Sequence, residues 1–319
     1  MTLNMRYLLL RMHKMTSYIN DIRELIGNTP LLKINNFDLK PNINLFAKLE
    51  YYNPAGSVKD RIGIAMINKA EAEGKLKPGA TIVEATAGNT GLGVALAALN
   101  KGYRVIFTVP EKFSQEKQML MKALGAEIII TPREEGMLGA GRKAAQLLAE
   151  IPDSISLKQF ENQANPDVHY QTTGPEIYNA LNGKIDYLVA GAGSGGTFSG
   201  IARYLKEQNP QIQTILADPE GSTMGGGEAG CYNMEGIGND FIPETMDINL
   251  VDHVIKINDA DAFNAASELT RKEGVIVGSS SGAAMAATLK FISQISSGNI
   301  VTIFPDRGDR YFSKNLYSH

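Results

Sequence analysis

A single cysteine, Cys231, excludes an intramolecular disulfide and any multi-cysteine metal centre. Only four histidines occur, none at ligand-like spacing, so no metal is expected. One unpaired thiol fits a reducing compartment, and a cytoplasmic protein is expected. A strong charge of either sign is missing as well. The net charge is -3, with Lys and Arg scattered along the chain, which removes the basic field that nucleic acid requires. Any anion must therefore be bound locally. Long apolar runs are absent too. Tyr7-Leu8-Leu9-Leu10, flanked by Arg6, Arg11 and Lys14, is too short for a signal peptide or a membrane span. Met1 to Met15 thus reads as an extended or disordered arm, with ordered structure beginning around Ser17 to Ile26. No repeat period and no low-complexity tract appears, which removes solenoids and linker-bearing arrays.

What is present is an ordinary globular composition, 43% hydrophobic and 20% charged over 319 residues, enough for two domains and a large core. Strand-like runs alternate with helix-like ones: Asn44 to Leu49, Thr81 to Glu84, Arg104 to Val109, Glu127 to Thr131, Tyr187 to Ala190, Thr214 to Asp218, His253 to Ile257 and Ile300 to Phe304. Short Ile- and Val-rich strands separated by amphipathic helices predict an α/β fold, with parallel sheets covered by helices on both faces. The pattern divides into two blocks. Residues 49–155 form a smaller one, and 1–48 with 156–319 a larger one. The cleft between them, at the strand carboxyl ends, is the expected ligand site.

Asn53-Pro54-Ala55-Gly56-Ser57-Val58-Lys59-Asp60-Arg61 is the most informative stretch. Pro54 and Gly56 break regular structure, and Val58, Ile62, Ala65, Met66 and Ala70 then recur at helical spacing, which places Lys59 in a first helical turn. A cation at the positive end of a helix dipole is disfavoured, so a neutral, nucleophilic amine becomes easier to reach. Alone, such a lysine reads as a surface residue. Its weight comes from three turns further along. Gly191-Ala192-Gly193-Ser194-Gly195-Gly196-Thr197 joins a strand to a helix and reads as a phosphate cradle, where backbone amides and a helix amino terminus supply the positive potential. Thr86-Ala87-Gly88-Asn89-Thr90-Gly91 is a second strand-to-helix turn, suited equally to a carboxylate or to plain capping. Gly278-Ser279-Ser280-Ser281-Gly282 is a third, whose serines are either caps or neutral partners for a heteroaromatic nitrogen. One rival stays open: Gly191, Gly193 and Gly196 also satisfy the dinucleotide fingerprint, with Asp218 ending the next strand.

Taken together, the chain from about Ile26 to Tyr311 resembles the pyridoxal-phosphate β-replacement enzymes that include cysteine synthase and cystathionine β-synthase. The resemblance is carried by Gly27-Asn28-Thr29-Pro30-Leu31, the Lys59 segment, Thr86 to Gly91, Gly193 to Thr197, Gly236-Ile237-Gly238 and Ser280-Ser281-Gly282, in family order. It implies a fold type II enzyme with pyridoxal 5'-phosphate in the cleft between two domains, the smaller one mobile, and a homodimeric assembly. Lys59 would anchor the cofactor aldehyde and then remove the substrate α-proton. Gly193, Ser194, Gly195, Gly196 and Thr197 would bind the cofactor phosphate, Asn89 its ring hydroxyl and Ser280 its pyridine nitrogen. Thr86, Ala87, Gly88, Asn89, Thr90, Gln159 and Gly236 would meet the substrate. The implied reaction replaces the β-substituent of O-acetylserine or a related alanine by a thiol, giving cysteine or cystathionine. The implied partners are therefore small amino acids and thiols, with no membrane and no nucleic acid.

The chain departs from the family in places. Many cysteine synthases have serine where Ala87 stands, so a hydroxyl contact is lost. Asp218 to Ser222, Glu235 to Pro243 and Phe304-Pro305-Asp306 look more like cystathionine β-synthases, and favour a larger thiol. Asp240 is a candidate for holding the amino group of such a thiol at the site entrance, against a plain solvated aspartate. Neither the haem-binding nor the regulatory segment of some cystathionine β-synthases is recognisable, so neither form of regulation is expected. Serine or cysteine as first substrate remains open, as do a nicotinamide-dependent oxidoreductase and a non-catalytic amino-acid sensor.

Overall fold

Apolar residues at consecutive strand positions leave a strand no polar face to turn to water, and here such strands build two separate sheets covered on both sides. The computed structural model describes residues 18–86, 88–111, 114–314 and 316–317. The expected arm at Met1 to Met15 and the substitution at Ala87 lie outside the described residues. The strands are β1 (Leu31–Ile34), β2 (Ile43–Leu49), β3 (Thr81–Ala85), β4 (Arg104–Pro110), β5 (Glu127–Thr131), β6 (Ser154–Ile155), β7 (Tyr187–Gly191), β8 (Gln213–Pro219), β9 (His253–Ile257) and β10 (Gly298–Phe304). One sheet has six strands in the order β1-β2-β10-β7-β8-β9 and the other four in the order β5-β4-β3-β6. Every pairing is parallel except β1 with β2, where Leu31 faces Lys48 and Ile34 faces Leu45. The predicted α/β class with mostly parallel sheets therefore holds, and the eight expected strands form within a residue or two of their ends. Two strands were not expected. β1 is a short antiparallel edge with one exposed residue, and β6 is only two residues long.

The helices are α1 (Lys59–Ala72), α2 (Asn89–Ala98), α3 (Gln115–Ala123), α4 (Gly136–Glu150), α5 (Ala164–Val168), α6 (Gly174–Ala180), α7 (Gly196–Gln208), α8 (Asp259–Glu273) and α9 (Ser279–Ile292). Successive side chains on a strand point to opposite faces, so Val189, Ile215 and Ile300 pack on one side of the six-stranded sheet, while Leu188, Ala190, Leu216 and Val301 pack on the other with Phe198 and Ile201 of α7. The four-stranded sheet repeats this: Ile82, Val105 and Phe107 meet α1 and α2, and Val83 and Ile106 meet Ala144 of α4. α1 and α2 touch backbone to backbone, because a Cβ on Gly63 or Gly93 would collide with the other helix. That contact fixes Lys59, since the group Gly93 packs against is the Lys59 carbonyl. Among the described residues, no helix is long and apolar enough to cross a membrane.

Candidate active site

Lys59 is the first residue of α1, with Val58 as its N-cap, as the Pro-Gly break and the helical spacing predicted. Gly56 turns the chain at φ 80°, and Val58 N–H donates to the carbonyl of Pro305 at 2.8 Å, which pins the turn to the end of β10. Two residues on, the fully buried Arg61 pairs with Glu50 and Glu176, each at 2.7 Å, and Lys48 pairs with Glu176 at 2.7 Å. This ionic cluster ties the start of α1 to β2 and α6. The Lys59 amine lies 3.3 Å from Ser194 Oγ in the glycine turn. Burial lowers its pKa to about 8, opposed by the Asp306 carboxylate, which raises it. The direction matches the expectation, but desolvation rather than the helix end is the main cause.

The turn between β7 and α7 is packed from behind. A Cβ on Gly193 would lie 2.5 Å from the Gly236 carbonyl oxygen, Gly195 has φ 82°, and a Cβ on Gly196 would collide with the Asn165 side chain. Asn165 Nδ2 donates to Ser194 Oγ at 2.9 Å and to the Gln159 carbonyl at 2.9 Å. Thr197 Oγ1 meets His169 Nε2 at 3.1 Å, and His169 Nδ1 meets Thr173 Oγ1 at 2.9 Å. Burial, together with Arg61 and Lys59, pushes the His169 pKa well below its ordinary value, so its ring is neutral and serves as a hydrogen-bonding prop.

On the opposite wall, Asn89 begins α2. Its Nδ2 donates to Asp306 Oδ2 at 2.7 Å and its Oδ1 accepts from Arg310 Nη1 at 2.7 Å. An amide nitrogen carries two hydrogens, so one remains for a ligand. Thr90 Oγ1 donates to Gln159 Oε1 at 2.6 Å, Thr86 is buried, and Gly88 faces open space. Ser279, Ser280 and Ser281 lie inside the first turn of α9 behind the N-cap Gly278, rather than in a free turn.

These elements enclose a cavity of about 430 Å³, onto which Lys59, Thr86, Gly88, Asn89, Thr90 and Gln159 open from one side. Gly193, Ser194 and Gly236 open onto it from the other. A small recess of about 40 Å³ continues from it, lined by Lys59, Asn89, Gly195, Thr197, Ser280 and Asp306. Gly196 sits directly behind the turn as the first residue of α7. Asp240 does not join them: it is exposed and lies outside both linings.

Several residues in this wall had not been singled out for the site. Asp306 also accepts from Tyr311 Oη at 2.5 Å, and Lys117 Nζ donates to Tyr311 Oη at 3.3 Å and to Glu235 Oε2 at 2.7 Å. A hydrogen-bonded chain thus runs from Arg310 through Asn89, Asp306 and Tyr311 to Lys117 and Glu235. Burial and the Asp306 carboxylate push the Tyr311 phenol well above its ordinary pKa, so it keeps its proton and donates. A carboxylate directly after an apolar strand was the available signal for Asp306. Asn165, His169 and Lys117 sit inside helical segments with no comparable mark.

Asp218, the residue that kept a dinucleotide reading open, is fully buried and bound to Lys256 Nζ at 2.5 Å and Gly225 N–H at 2.9 Å. It cannot reach a ribose. Residues 22–306 match the family described as Pyridoxal-phosphate dependent enzyme. The chain belongs to this family. A pyridoxal-phosphate dependent enzyme of this kind has relatives of nearly equal length. It is 53% identical over 300 residues to the O-acetylserine dependent cystathionine beta-synthase of Bacillus subtilis (strain 168), covering 94% of this chain and 98% of that one. It is 45% identical over 303 residues to the cysteine synthase of Staphylococcus aureus (strain Mu50 / ATCC 700699), covering 94% and 97%. The crystal structure of O-acetylserine dependent cystathionine beta-synthase from Helicobacter pylori superposes with a TM-score of 0.90 at 46% identity, covering 94% of this chain and 99% of that one.

The residues present fit pyridoxal phosphate. A buried amine with a pKa near 8 lies within reach of a turn whose glycines cannot carry side chains, and the first turn of α7 holds no acidic residue to repel a phosphate. The first N–H groups of α7 have no partner within the helix, which suits a dianion.

Proposed function

We propose that this enzyme exchanges the acetoxy group of O-acetylserine for a thiol, forming cysteine from sulfide and cystathionine from homocysteine. The observation that carries this reading is the 3.3 Å approach of the Lys59 amine to the glycine turn, in a cavity shared with the Thr86 to Thr90 turn. The relatives named above supply the substrate class. Bound pyridoxal phosphate supplies an electron sink that acidifies the substrate Cα–H and lets the β-substituent leave.

The chain's own residues do the rest. The Lys59 amine anchors the cofactor and then takes the α-proton at Nζ, a task suited to a pKa of about 8 near neutral pH. The amides of Gly193 to Gly196 and the hydroxyls of Ser194 and Thr197 hold the phosphate. Asn89 directs its remaining N–H to the ring oxygen, and Ser280 offers a neutral hydroxyl to the pyridine nitrogen. Unlike a carboxylate, such a hydroxyl would not hold a proton on that nitrogen, so Ser280 would leave the bound ring a weaker electron sink. Thr86, Gly88, Thr90 and Gln159 receive the substrate carboxylate, and the Thr90–Gln159 bond pre-orients two of them. We also read residues 49–155 as a mobile unit that closes on the rest of the chain and excludes water. A homodimer in the cytoplasm completes the reading.

The test is a product assay on cofactor-loaded protein that crosses O-acetylserine, serine and cysteine with sulfide and homocysteine. Sulfur products from O-acetylserine are expected, with turnover falling at least about 10³-fold in Lys59→Ala together with loss of covalent cofactor attachment. Undiminished turnover in that variant, or product formed from serine or cysteine alone, would overturn the assignment.

A further inference from the structure

We infer that Lys117 and Glu235 form the subsite that selects an amino-acid thiol as the second substrate, by matching its carboxylate and ammonium groups. This rests on the β-replacement reading and names the class of nucleophile that the cavity takes.

Both side chains line the same 430 Å³ cavity as Lys59, so a molecule that reaches one end of the pair shares space with the reacting centre. Lys117 is 2% exposed and Glu235 19% exposed, and their charged atoms are 2.7 Å apart. Removing an ion pair from water costs about as much as the pair returns, so a buried pair in a cavity wall contributes little to folding. Its value lies in presenting fixed charges. A zwitterion carries one carboxylate and one ammonium on neighbouring atoms, and a lysine beside a glutamate is the complementary arrangement. Sulfide carries neither group.

The pair is held in place on both sides. The Lys117 backbone is fixed at the start of α3, where its N–H donates to Ser114 Oγ at 3.2 Å, and its ammonium lies 4.4 Å from the centre of the Tyr311 ring. Glu235 is held by its own N–H, which donates to Ser279 Oγ at 3.0 Å at the start of α9. Glu235 and Tyr311 oxygens account for two of the three ammonium hydrogens of Lys117, and among the described residues no further oxygen takes the third. A ligand carboxylate fits there. Asp240, the sequence's candidate for holding the thiol's ammonium, is exposed and outside the lining, so Glu235 takes that role.

The test compares kcat/KM for homocysteine and for sulfide at saturating O-acetylserine, in the loaded parent enzyme and in Lys117→Met and Glu235→Gln. The homocysteine-to-sulfide ratio is expected to fall about 10- to 100-fold in each variant, the loss associated with one member of a desolvated charge contact. Lys117→Arg keeps the charge and is expected to return the ratio to within about 5-fold of the parent. An unchanged ratio, or an equal fall with both nucleophiles, overturns the inference. If the parent consumes neither thiol, the β-replacement reading fails separately. Calorimetric binding of L-cystathionine and of S-methyl-L-cysteine then decides the subsite. Weakening in the variants confined to cystathionine supports it. Equal weakening, or no binding of cystathionine by the parent, overturns it.

Discussion

The two strand-to-helix turns that face each other across the cavity have similar sequences and opposite packing. In the turn after β7, Gly193, Gly195 and Gly196 each back onto another segment of the larger sheet's surroundings: Gly236, Met246 and Asn165. In the turn after β3, Gly91 inside α2 is packed against Met121 and Thr86, but Gly88, ahead of the helix, has no atom within 4 Å of where a Cβ would stand, so this turn is open only on its leading side. A cradle closed from behind presents its amides at fixed points and suits a resident phosphate. An open turn can adjust around a substrate that arrives and leaves. The glycines are alike in sequence, and their surroundings decide which turn is rigid.

The comparison is tested most severely at Gly196. Gly196→Ala places a methyl on Asn165 and is expected to weaken cofactor binding about 30- to 100-fold, in line with about 2–3 kcal/mol of overpacking, measured by titrating cofactor into the apoenzyme. Binding within about 2-fold of the parent would show that the cradle is not closed. Gly93→Ala drives a Cβ into the Lys59 carbonyl and is expected to cost about 1–3 kcal/mol of stability in urea unfolding, with m unchanged. At Gly88 the expected effects are the smallest: Gly88→Ala should keep stability within about 0.5 kcal/mol and cofactor affinity within about 2-fold, because its φ of -127° suits alanine and its space is open. Any cost should appear in KM for the amino-acid substrate. A cofactor defect as large as that of Gly196→Ala would erase the distinction between the turns.

Titration sharpens the same contrast from the lysine side. Lys59 has a pKa of about 8 when folded against 10.5 as the ordinary value, so between these pH values the unfolded chain binds more protons. The parent apoenzyme should therefore gain stability relative to Lys59→Met as pH rises from about 8 to 10.5, and lose that gain as pH falls back. No pH dependence of the difference would mean that the amine is not desolvated. Asp306→Asn removes the charge that raises this pKa, so the window should open at lower pH than in the parent.

Much of this site could be read along the chain because its parts are local. Pro54 and Gly56 before a helical period mark Lys59, and glycines between strand and helix mark the 191–197 turn, each by signals within a few residues of the feature itself. The eight expected strands were legible because apolar runs of Ile and Val are needed wherever both faces are covered. β1 and β6 escaped for the converse reason, being short and at sheet edges. Asp306, Tyr311 and Lys117 escaped because each is polar for the sake of a partner far away in sequence: Asn89 is 217 residues from Asp306, and Tyr311 is 194 from Lys117. For Asp240 the loop sequence left two readings, a carboxylate at the entrance and a solvated aspartate, and in the fold its side chain is exposed and outside the cavity lining.

Backbone chemistry written into short segments determined the α/β class, the three helix-start turns and a lysine at a helix start of its own. Only the folded chain decided that desolvation sets the Lys59 pKa, that one glycine turn is closed and the other open, and that Lys117 and Glu235 share the cavity. Local segments carry helix starts and turn geometry in their own residues, whereas burial, close packing and ion pairing depend on what distant segments bring alongside.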